Sequence, residues 1–391
     1  MKLRSIFLAV AAAALMLSPA FGQQGQQGQV QQGQQKPKAT GRSAAPKVVA
    51  PANDVNDVND ANDVYVLGTK GDGQGGNMGA LWKNGKLQQL GKGVAADAIF
   101  ISGSDVYMAG AVHVDGPDPR GEGKDVLTLW KNGKAKRYGD MLGRGKVNAM
   151  FVSGADVYIA GEEDNTTGNS MATLWKNGVA QHLSNGPSDM GNDSATSVVV
   201  SGKDVYVTGF EKNEQTGGNM PTLWKNGVAQ RLDSGGCTSA WAQSVFVSGG
   251  DVYVAGRGWN SEDRSAALVW KNGRAQFLTE WDGQHSAESV FVSGGDVYVA
   301  GHEDNAKGKS VATLWKNGKA QRLSAGKDSW AYSVFVARED VYVAWYGYGK
   351  DGRTTEAMLW KNGKSQRLKD KDADNRTAVK SVIVADLGTG K

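Results

Sequence analysis

Short apolar runs alternate with short polar connections along most of the chain, and residues 289–324 show this pattern clearly. Four runs predict four strands, at residues 289–292, at 296–300, in a segment that ends at Trp315, and at 320–323. Asn317-Gly318 between the last two runs suits a type I′ turn, because both central residues of that turn need a positive φ. The unit is therefore predicted to be a four-stranded antiparallel meander.

The same unit recurs along the chain, and three strings mark each copy. WKNG occurs seven times, with its tryptophan at Trp82, Trp130, Trp175, Trp224, Trp270, Trp315 and Trp360. DVYV or a close variant begins at Asp63, Asp105, Asp156, Asp204, Asp251, Asp296 and Asp340. A string similar to SVFV begins at Ala98, Ala149, Ser197, Ser244, Ser289, Ser333 and Ser381. An interval of 45 to 49 residues between the tryptophans, held over most of the chain, is typical of a repeat architecture.

Both faces of the first two strands of a unit carry apolar side chains. Val290 and Val297 are predicted to point to one face of the sheet, whereas Phe291 and Tyr298 point to the other. Such a sheet needs a neighbour on each side, and a closed ring leaves no end face exposed. The predicted fold class is all-β: a seven-bladed β-propeller of four-stranded antiparallel blades over residues 63–386, with almost no helix.

The two ends of the repeat region complement each other. The first unit has no SVFV-like strand before Asp63, whereas the string SVIVAD at residues 381–386 has no partner in its own unit. We therefore predict that residues 381–386 pair with residues 63–68 and close the ring.

Segments outside the repeats predict export. Residues 1–22 have a basic start, an apolar stretch and small residues before a cleavage point, which is typical of a signal peptide. Residues 23–62 are predicted to be a disordered linker that contains Gln, Gly and Pro, and residues 387–391 a short tail. No later segment is long and apolar enough to span a membrane, so the predicted location is the periplasm or the cell exterior.

Net charge and cysteine content narrow the range of possible functions. A formal charge of +4 on 391 residues argues against a nucleic-acid binder. Cys237 is the only cysteine, so an exported chain of this kind forms no internal disulfide and depends on packing. The chain is expected to be a monomer.

The LWKNG and DVYVAG strings resemble tandem-repeat proteins of exported bacterial proteomes, most of which have no assigned function. The resemblance covers residues 63–386 and implies the seven-bladed propeller fold, but no activity. No Gly-His and Trp-Asp pair punctuates the blades as in WD repeats, and neither the paired-glycine pattern of kelch repeats nor the Asp box of sialidases is found.

Residues with catalytic or metal-binding chemistry are few. His113, His182, His285 and His302 have no metal-ligand spacing to one another, so we predict no metal, no cofactor and no enzymatic activity. The acidic loops at 161–170 and 301–310 have the composition of calcium loops but not their ligand spacing, and solvated turns explain them equally well. The seven WKNG lysines are predicted to form a solvated rim, with binding of an anionic polymer as the alternative.

Aromatic residues outside the motif are the candidate binding residues. The WKNG tryptophans are predicted to pack between blades, whereas the other aromatic residues fall in or beside the long connections, which emerge on one face. Trp241 and Trp330 each precede a strand-one serine by three residues, and the blade between them has Ser286 there. The predicted ligand-binding residues are Trp241, Trp259, Trp281, Trp330, Tyr332, Trp345, Tyr346 and Tyr348.

Two classes of function remain open. The first is a non-enzymatic binding module that uses the long-loop face to bind a glycan or an extended peptide of the envelope or exterior. The second is a structural or assembly scaffold of the cell envelope, in which the same rings cap the blades. A polysaccharide-acting enzyme is a third alternative, although the repeat places no pair of carboxylates or histidines for it.

Overall fold

The structure, a computed structural model, describes residues 62–71, 77–90, 96–114, 124–186, 192–325, 328–349, 352–368 and 377–386. The predicted signal peptide, almost all of the predicted linker and the predicted tail lie outside the described residues. Within these ranges, no helix has the length and apolar character needed to cross a membrane.

Seven four-stranded antiparallel sheets form the seven blades of a propeller, as the repeats predict. The innermost strands are β28 (Thr377–Asp386), β4 (Ala98–Ser102), β8 (Gly145–Ser153), β12 (Ser194–Ser201), β16 (Ser239–Ser248), β20 (Ser286–Ser293) and β24 (Ser329–Ala337). The second strands are β1 (Asn62–Gly71), β5 (Asp105–Val114), β9 (Asp156–Asp164), β13 (Asp204–Lys212), β17 (Asp251–Trp259), β21 (Asp296–Asp304) and β25 (Asp340–Tyr348).

The outer half of each blade completes the meander. The third strands are β2 (Asn77–Lys83), β6 (Lys124–Lys131), β10 (Ser170–Lys176), β14 (Asn219–Lys225), β18 (Ser265–Lys271), β22 (Ser310–Lys316) and β26 (Thr355–Lys361). The outermost strands are β3 (Lys86–Gln89), β7 (Lys134–Asp140), β11 (Val179–His182), β15 (Val228–Arg231), β19 (Arg274–Phe277), β23 (Lys319–Arg322) and β27 (Lys364–Arg367). Each innermost strand contacts the innermost strands of both neighbouring blades, so the seven enclose a central channel.

The first blade contains both ends of the repeat region. Its strand order is β28-β1-β2-β3, with β28 antiparallel to β1. Val64 pairs with Val384, and Leu67 pairs with Ser381. The predicted closure by residues 381–386 is confirmed, and the closing strand begins earlier than predicted, at Thr377.

Serine side chains join neighbouring blades near the channel. The backbone N–H of Val290 donates to Ser244 Oγ of the preceding blade at 3.2 Å. The same bond recurs at 3.1–3.3 Å from Val245 to Ser197, from Val334 to Ser289 and from Val382 to Ser333. Ala98 and Ala149 occupy this position in the second and third blades, where the side chain has no oxygen to accept the bond. The SVFV serine is therefore a link between blades.

The polar residues that recur in each repeat form one network at the Asn-Gly turn. In the sixth blade, Asn317 Nδ2 donates to Asp296 Oδ1 at 2.7 Å, and Asn317 Oδ1 accepts from the N–H of Val297 at 2.8 Å. Lys316 Nζ lies 2.8 Å from Asp296 Oδ2 and 5.2 Å from the centre of the Tyr298 ring. The Asn–Asp bond is 2.6–2.9 Å long in all seven blades. The seven motif lysines are thus each paired with an aspartate, which counts against their forming an anion-binding ring.

Replacing Asn317 is expected to show how much one turn contributes to stability. Asn317 has a φ of 50° and makes both bonds of the network, so Asn317→Ala should combine backbone strain with two lost hydrogen bonds. We expect a loss of about 2 kcal/mol in the free energy of unfolding by urea titration. Asn317→Gly relieves the strain and should cost less. Equal losses in the two variants would show that the left-handed backbone contributes nothing.

The motif tryptophans are packed inside the molecule. Their side chains are 0–6% exposed in all seven blades. Trp224 Nε1 donates to the carbonyl of Leu183 in the preceding blade at 3.1 Å, and Trp270 Nε1 donates to the carbonyl of Asp233 at 2.6 Å. These rings hold neighbouring blades together and are not accessible to a ligand.

Candidate functional site

A β-bulge in the innermost strand marks the region where the blades differ most. The strand skips one residue in its pairing with the second strand, and a bulge leaves that residue outside the ladder. The bulged residues are Lys380, Asn148, Thr196, Gln243, Glu288 and Tyr332. In the second blade, Asp97 stands in the same place, directly before β4. One polar side chain per blade is thus set at the channel, and all seven differ.

Close approach of the first two strands explains the glycine of DVYVAG. A Cβ on Gly256 would lie 2.0 Å from the carbonyl oxygen of Trp241, and a Cβ on Gly301 would lie 2.0 Å from that of Ser286. In these two blades only glycine avoids the clash, whereas the seventh blade has Trp345 in the same place. The residue after this glycine pairs with the innermost-strand residue that stands two positions before the bulge. In the fifth blade, Arg257 pairs in this way with Trp241. Its side chain therefore lies at the long-loop end of the channel.

At the long-loop end of the channel, opposite charges face each other in the first three blades. Lys380 Nζ forms an ion pair with Asp97 Oδ1 across the boundary between the first and second blades. In the third blade, Lys146 and Glu162 are paired across the two strands, and the Lys146 charge lowers the pKa of Glu162 against the larger, raising effect of burial. This side of the channel is balanced in charge.

The fifth blade presents an arginine in the corner formed by two tryptophan rings. The guanidinium carbon of Arg257 lies 4.6 Å from the ring centre of Trp241 and 4.6 Å from that of Trp259. The two rings meet edge to face at 4.8 Å, and Trp241 also stacks on Phe210 of the fourth blade at 5.2 Å. Arg257, Trp241 and Trp259 are all partly exposed. Cation–π contacts of this kind fix the guanidinium in place while they leave its hydrogen-bonding atoms free.

The sixth blade contributes a buried carboxyl group and a buried imidazole. Ser286 Oγ donates to Glu288 Oε1 at 2.5 Å, and burial raises the pKa of Glu288. His302 pairs with Ser286 across the strands, is 8% exposed and has no hydrogen-bond partner for Nδ1 among the described residues. Burial, with the Arg257 and His285 charges, lowers the pKa of His302 to about 3, so the imidazole is neutral.

The seventh blade supplies stacked aromatic rings. Tyr332 and Tyr346 stack at 5.4 Å with a 3° interplanar angle, and their hydroxyl oxygens are 3.4 Å apart. Trp330 lies 5.4 Å from Tyr346 and 5.9 Å from Tyr348, whose ring is 41% exposed. Burial raises the pKa of Tyr332 well above its usual value, so the hydroxyl remains a neutral donor.

These residues of three adjacent blades form one site. The charge of Glu288 acts on Arg257 in the blade before it and on Tyr332 and Tyr346 in the blade after it. Flat rings, a guanidinium, a carboxyl group and phenol hydroxyls thus converge at the channel. We call this the channel-mouth cluster, which consists of Trp241, Arg257, Trp259, Glu288, His302, Trp330, Tyr332 and Tyr346.

Three of the predicted binding residues, Trp281, Trp345 and Tyr348, lie outside this cluster, although Tyr348 contacts Trp330. Trp281 packs edge to face on Phe277 of the outermost strand β19, at 5.3 Å, away from the cluster. Trp345 replaces the repeat glycine in the seventh blade, is 9% exposed and lines a cavity of about 290 Å³ with Asp328, Tyr348 and Glu356. The two carboxylates of that cavity are already paired, Asp328 with Lys309 and Glu356 with Arg367.

The acidic loops have a structural role in the blades. Asn165 Oδ1 accepts from the N–H of Thr167 and of Asn169, and Asn305 Oδ1 accepts from those of Lys307 and Lys309. These are Asx turns, in which an asparagine side chain replaces a backbone acceptor. Among the described residues, no group of three His, Cys, Asp or Glu side chains is arranged to hold a metal ion.

Sequence reasoning selected the aromatic members of the cluster but not Arg257, Glu288 or His302. The signal that could have found them is an alignment of the repeats with one another. The position of Arg257 is occupied in the other blades by Thr69, Ala111, Glu162, Phe210, His302 and Tyr346. When a position varies this much between otherwise similar repeats, blade packing does not constrain it as it constrains the adjacent positions of the strand.

Comparison with known proteins identifies the fold and no function. No protein-family model matches the sequence, and no curated protein sequence matches it. The structure is similar to the β-propeller domain of the trilobed protease from Pyrococcus furiosus, with a TM-score of 0.50 and 12% identity over 85% of this chain and 98% of that one.

Two larger peptidases also contain a similar domain. A puromycin-hydrolysing peptidase of Mycobacterium tuberculosis matches with a TM-score of 0.53 and 12% identity, over 84% of this chain and 54% of that one. The acylaminoacyl peptidase of Pyrococcus horikoshii matches with a TM-score of 0.47 and 13% identity, over 83% of this chain and 53% of that one. The chain spans about half the length of these two peptidases. At such identities the similarity concerns the fold alone, which is a seven-bladed β-propeller.

Proposed function

We propose that this protein is an exported, non-enzymatic binding module that holds a glycan at the channel-mouth cluster. The observation that carries the proposal is the pair of partly exposed indole rings, Trp241 and Trp330, on either side of the Glu288 carboxyl group. Export rests on the signal-peptide pattern of residues 1–22 and on the resemblance of the repeats to exported bacterial tandem-repeat proteins.

The chemistry of the cluster fits a sugar ring. A tryptophan presents a large flat surface to the apolar face of a pyranose, and nearby hydroxyl and carboxyl groups bond to its rim. Tyr332 and Tyr346 supply phenol hydroxyls 3.4 Å apart, and Glu288 supplies carboxyl oxygens. An extended peptide would bind mainly through a free backbone edge, whereas the groups that converge here are side chains.

Accessibility of the two indole rings is the first test. We expect Trp241→Phe and Trp330→Phe each to remove a component of the tryptophan fluorescence that acrylamide quenches, since both side chains are partly exposed. The WKNG tryptophans, at 0–6% exposure, should contribute the unquenched remainder. If neither substitution changes the quenched fraction, the rings are closed to ligands, and the scaffold alternative replaces the binding module.

Binding itself is tested by a glycan array, followed by titration of the best ligand. Trp330→Ala should weaken the affinity about tenfold or more, because a central aromatic side chain usually contributes most to an interface. Trp281→Ala is the matched control, since Trp281 packs on Phe277 outside the cluster, and it should leave the affinity unchanged. Equal effects of the two substitutions, or binding of envelope peptides but of no glycan, would contradict the proposal.

A further inference from the structure

Among the described residues, Arg257 has no anion within ion-pair distance. Its Nε has no hydrogen-bond partner, and the contacts that the structure gives its guanidinium are the two indole faces of Trp241 and Trp259. No carboxylate among the described residues lies within 4.0 Å of it, although the Glu288 charge acts on it from further away. Arg257 is partly exposed, and even partial removal of a charge from water costs free energy unless the charge is paired. Arg257 is therefore a cation at the mouth of the channel that no carboxylate of the described ranges pairs with.

Glu288 is poorly placed to balance this charge. Its Oε1 already accepts a hydrogen bond from Ser286 Oγ at 2.5 Å, and it is 5% exposed. Burial is the main effect on its pKa and raises it, which favours the neutral acid. Burial also lowers the pKa of Arg257, yet an arginine remains charged in proteins. The charge at Arg257 is thus only weakly compensated.

The repeat provides an internal comparison for this position. In the third blade the corresponding residue is Glu162, and the residue paired with it across the strands is Lys146, of opposite charge. In the fifth blade the residue paired with Arg257 is Trp241, which is neutral. The same scaffold position is therefore balanced in one blade and left unbalanced in the other, at the place where the aromatic rings gather.

We infer that the ligand of the channel-mouth cluster carries a carboxylate and that Arg257 binds it, which makes the ligand an acidic sugar of the uronic acid type. The inference rests on the proposed glycan-binding function. A planar guanidinium held in the corner of two rings that meet edge to face presents its terminal N–H groups in the plane that a carboxylate needs for paired hydrogen bonds. Trp330 then covers the apolar face of the same or the neighbouring sugar, because the Trp241 ring is already stacked on Phe210 and contacted by Arg257.

The test compares trigalacturonic acid with its fully methyl-esterified form, which has the same rings without the charges. We expect the wild-type protein to bind the acid about 10- to 100-fold more tightly than the ester, because a charge-assisted pair contributes that much. Arg257→Gln should abolish the preference by weakening the acid alone, and Arg257→Lys should restore part of it. Thermal melting of each variant verifies that it is folded.

Lys307→Gln is the control for charge in general. Lys307 is exposed on the neighbouring long loop, so its loss changes the net charge as much as Arg257→Gln does. We expect it to keep the preference for the acid. Equal affinity of the wild type for acid and ester, or a preference that survives in Arg257→Gln, would overturn the inference and leave the glycan proposal in place. Failure of the wild type to bind any sugar of the array would overturn both.

Discussion

Deleting residues 381–391 is expected to abolish cooperative folding at the temperature where the full chain is native. The deletion removes most of β28, which is the innermost strand of the first blade. Val382, Ile383 and Val384 are each at most 1% exposed, and burial of each such side chain is worth about 1.5–3 kcal/mol. Their sum is comparable with the total stability of a typical protein, about 5–15 kcal/mol.

The deletion also opens the ring. Loss of β28 leaves the edge of β1 unpaired and removes the hydrogen bond from Val382 to Ser333 of the seventh blade. Circular dichroism melting should show a broad transition far below that of the full chain, together with aggregation. Removal of residues 387–391 alone is the control and should leave the melting temperature unchanged. A cooperative melt of the 381–391 deletion at the wild-type temperature would show that closure contributes nothing.

The sequence predicted the architecture because the fold depends on features that repeat. Alternation of apolar residues gives the strands, Asn-Gly gives the turns, and incomplete units at the two ends give the closure. Asn317 illustrates why the motif is so strict. One side chain must sit at positive φ, accept from Val297 and donate to Asp296, which leaves few alternatives.

The candidate site could be predicted only in part. Trp241 and Trp330 were selected because they stand at the same place before a strand, which is a local property of the repeat. The position of Arg257 in the corner of two rings depends on the bulge and on cross-strand register, and neither can be read from one unit. Trp345 was selected because it falls in or beside a long connection, and the structure places it at the repeat-glycine position of β25, where it is 9% exposed.

The residues that hold the blades together and the residues of the cluster are thus separated in space. The repeated Asp, Asn, Lys and Trp residues stabilise the tight-turn side and the contacts between blades. The bulge and the residue after the repeat glycine are free to differ, and they face the channel at the long-loop end. A rigid scaffold of this kind can change its ligand without changing its fold.

Acid should destabilise this protein through His302, beginning well above the range where carboxylates titrate. The pKa of His302 is about 3 in the folded protein, because of burial first and then the Arg257 and His285 charges, against 6.5 for the unperturbed group. Between these values the unfolded chain binds a proton that the folded protein does not. Stability is therefore at its full value above about pH 6.5 and falls as the pH drops towards 3.

The size of the effect follows from the proton linkage. One proton gives a slope of about 1.4 kcal/mol per pH unit, so the loss between pH 6.5 and 5 is on the order of 2 kcal/mol. Urea unfolding at these two pH values measures it. His302→Gln, which cannot be protonated, should remove this slope whatever its effect on stability at neutral pH. His113→Gln removes a histidine that is 49% exposed and should keep the slope of the wild type. If His302→Gln also retains that slope, His302 is protonated in the folded protein. The assignment of a buried, neutral imidazole beside Arg257 would then be wrong.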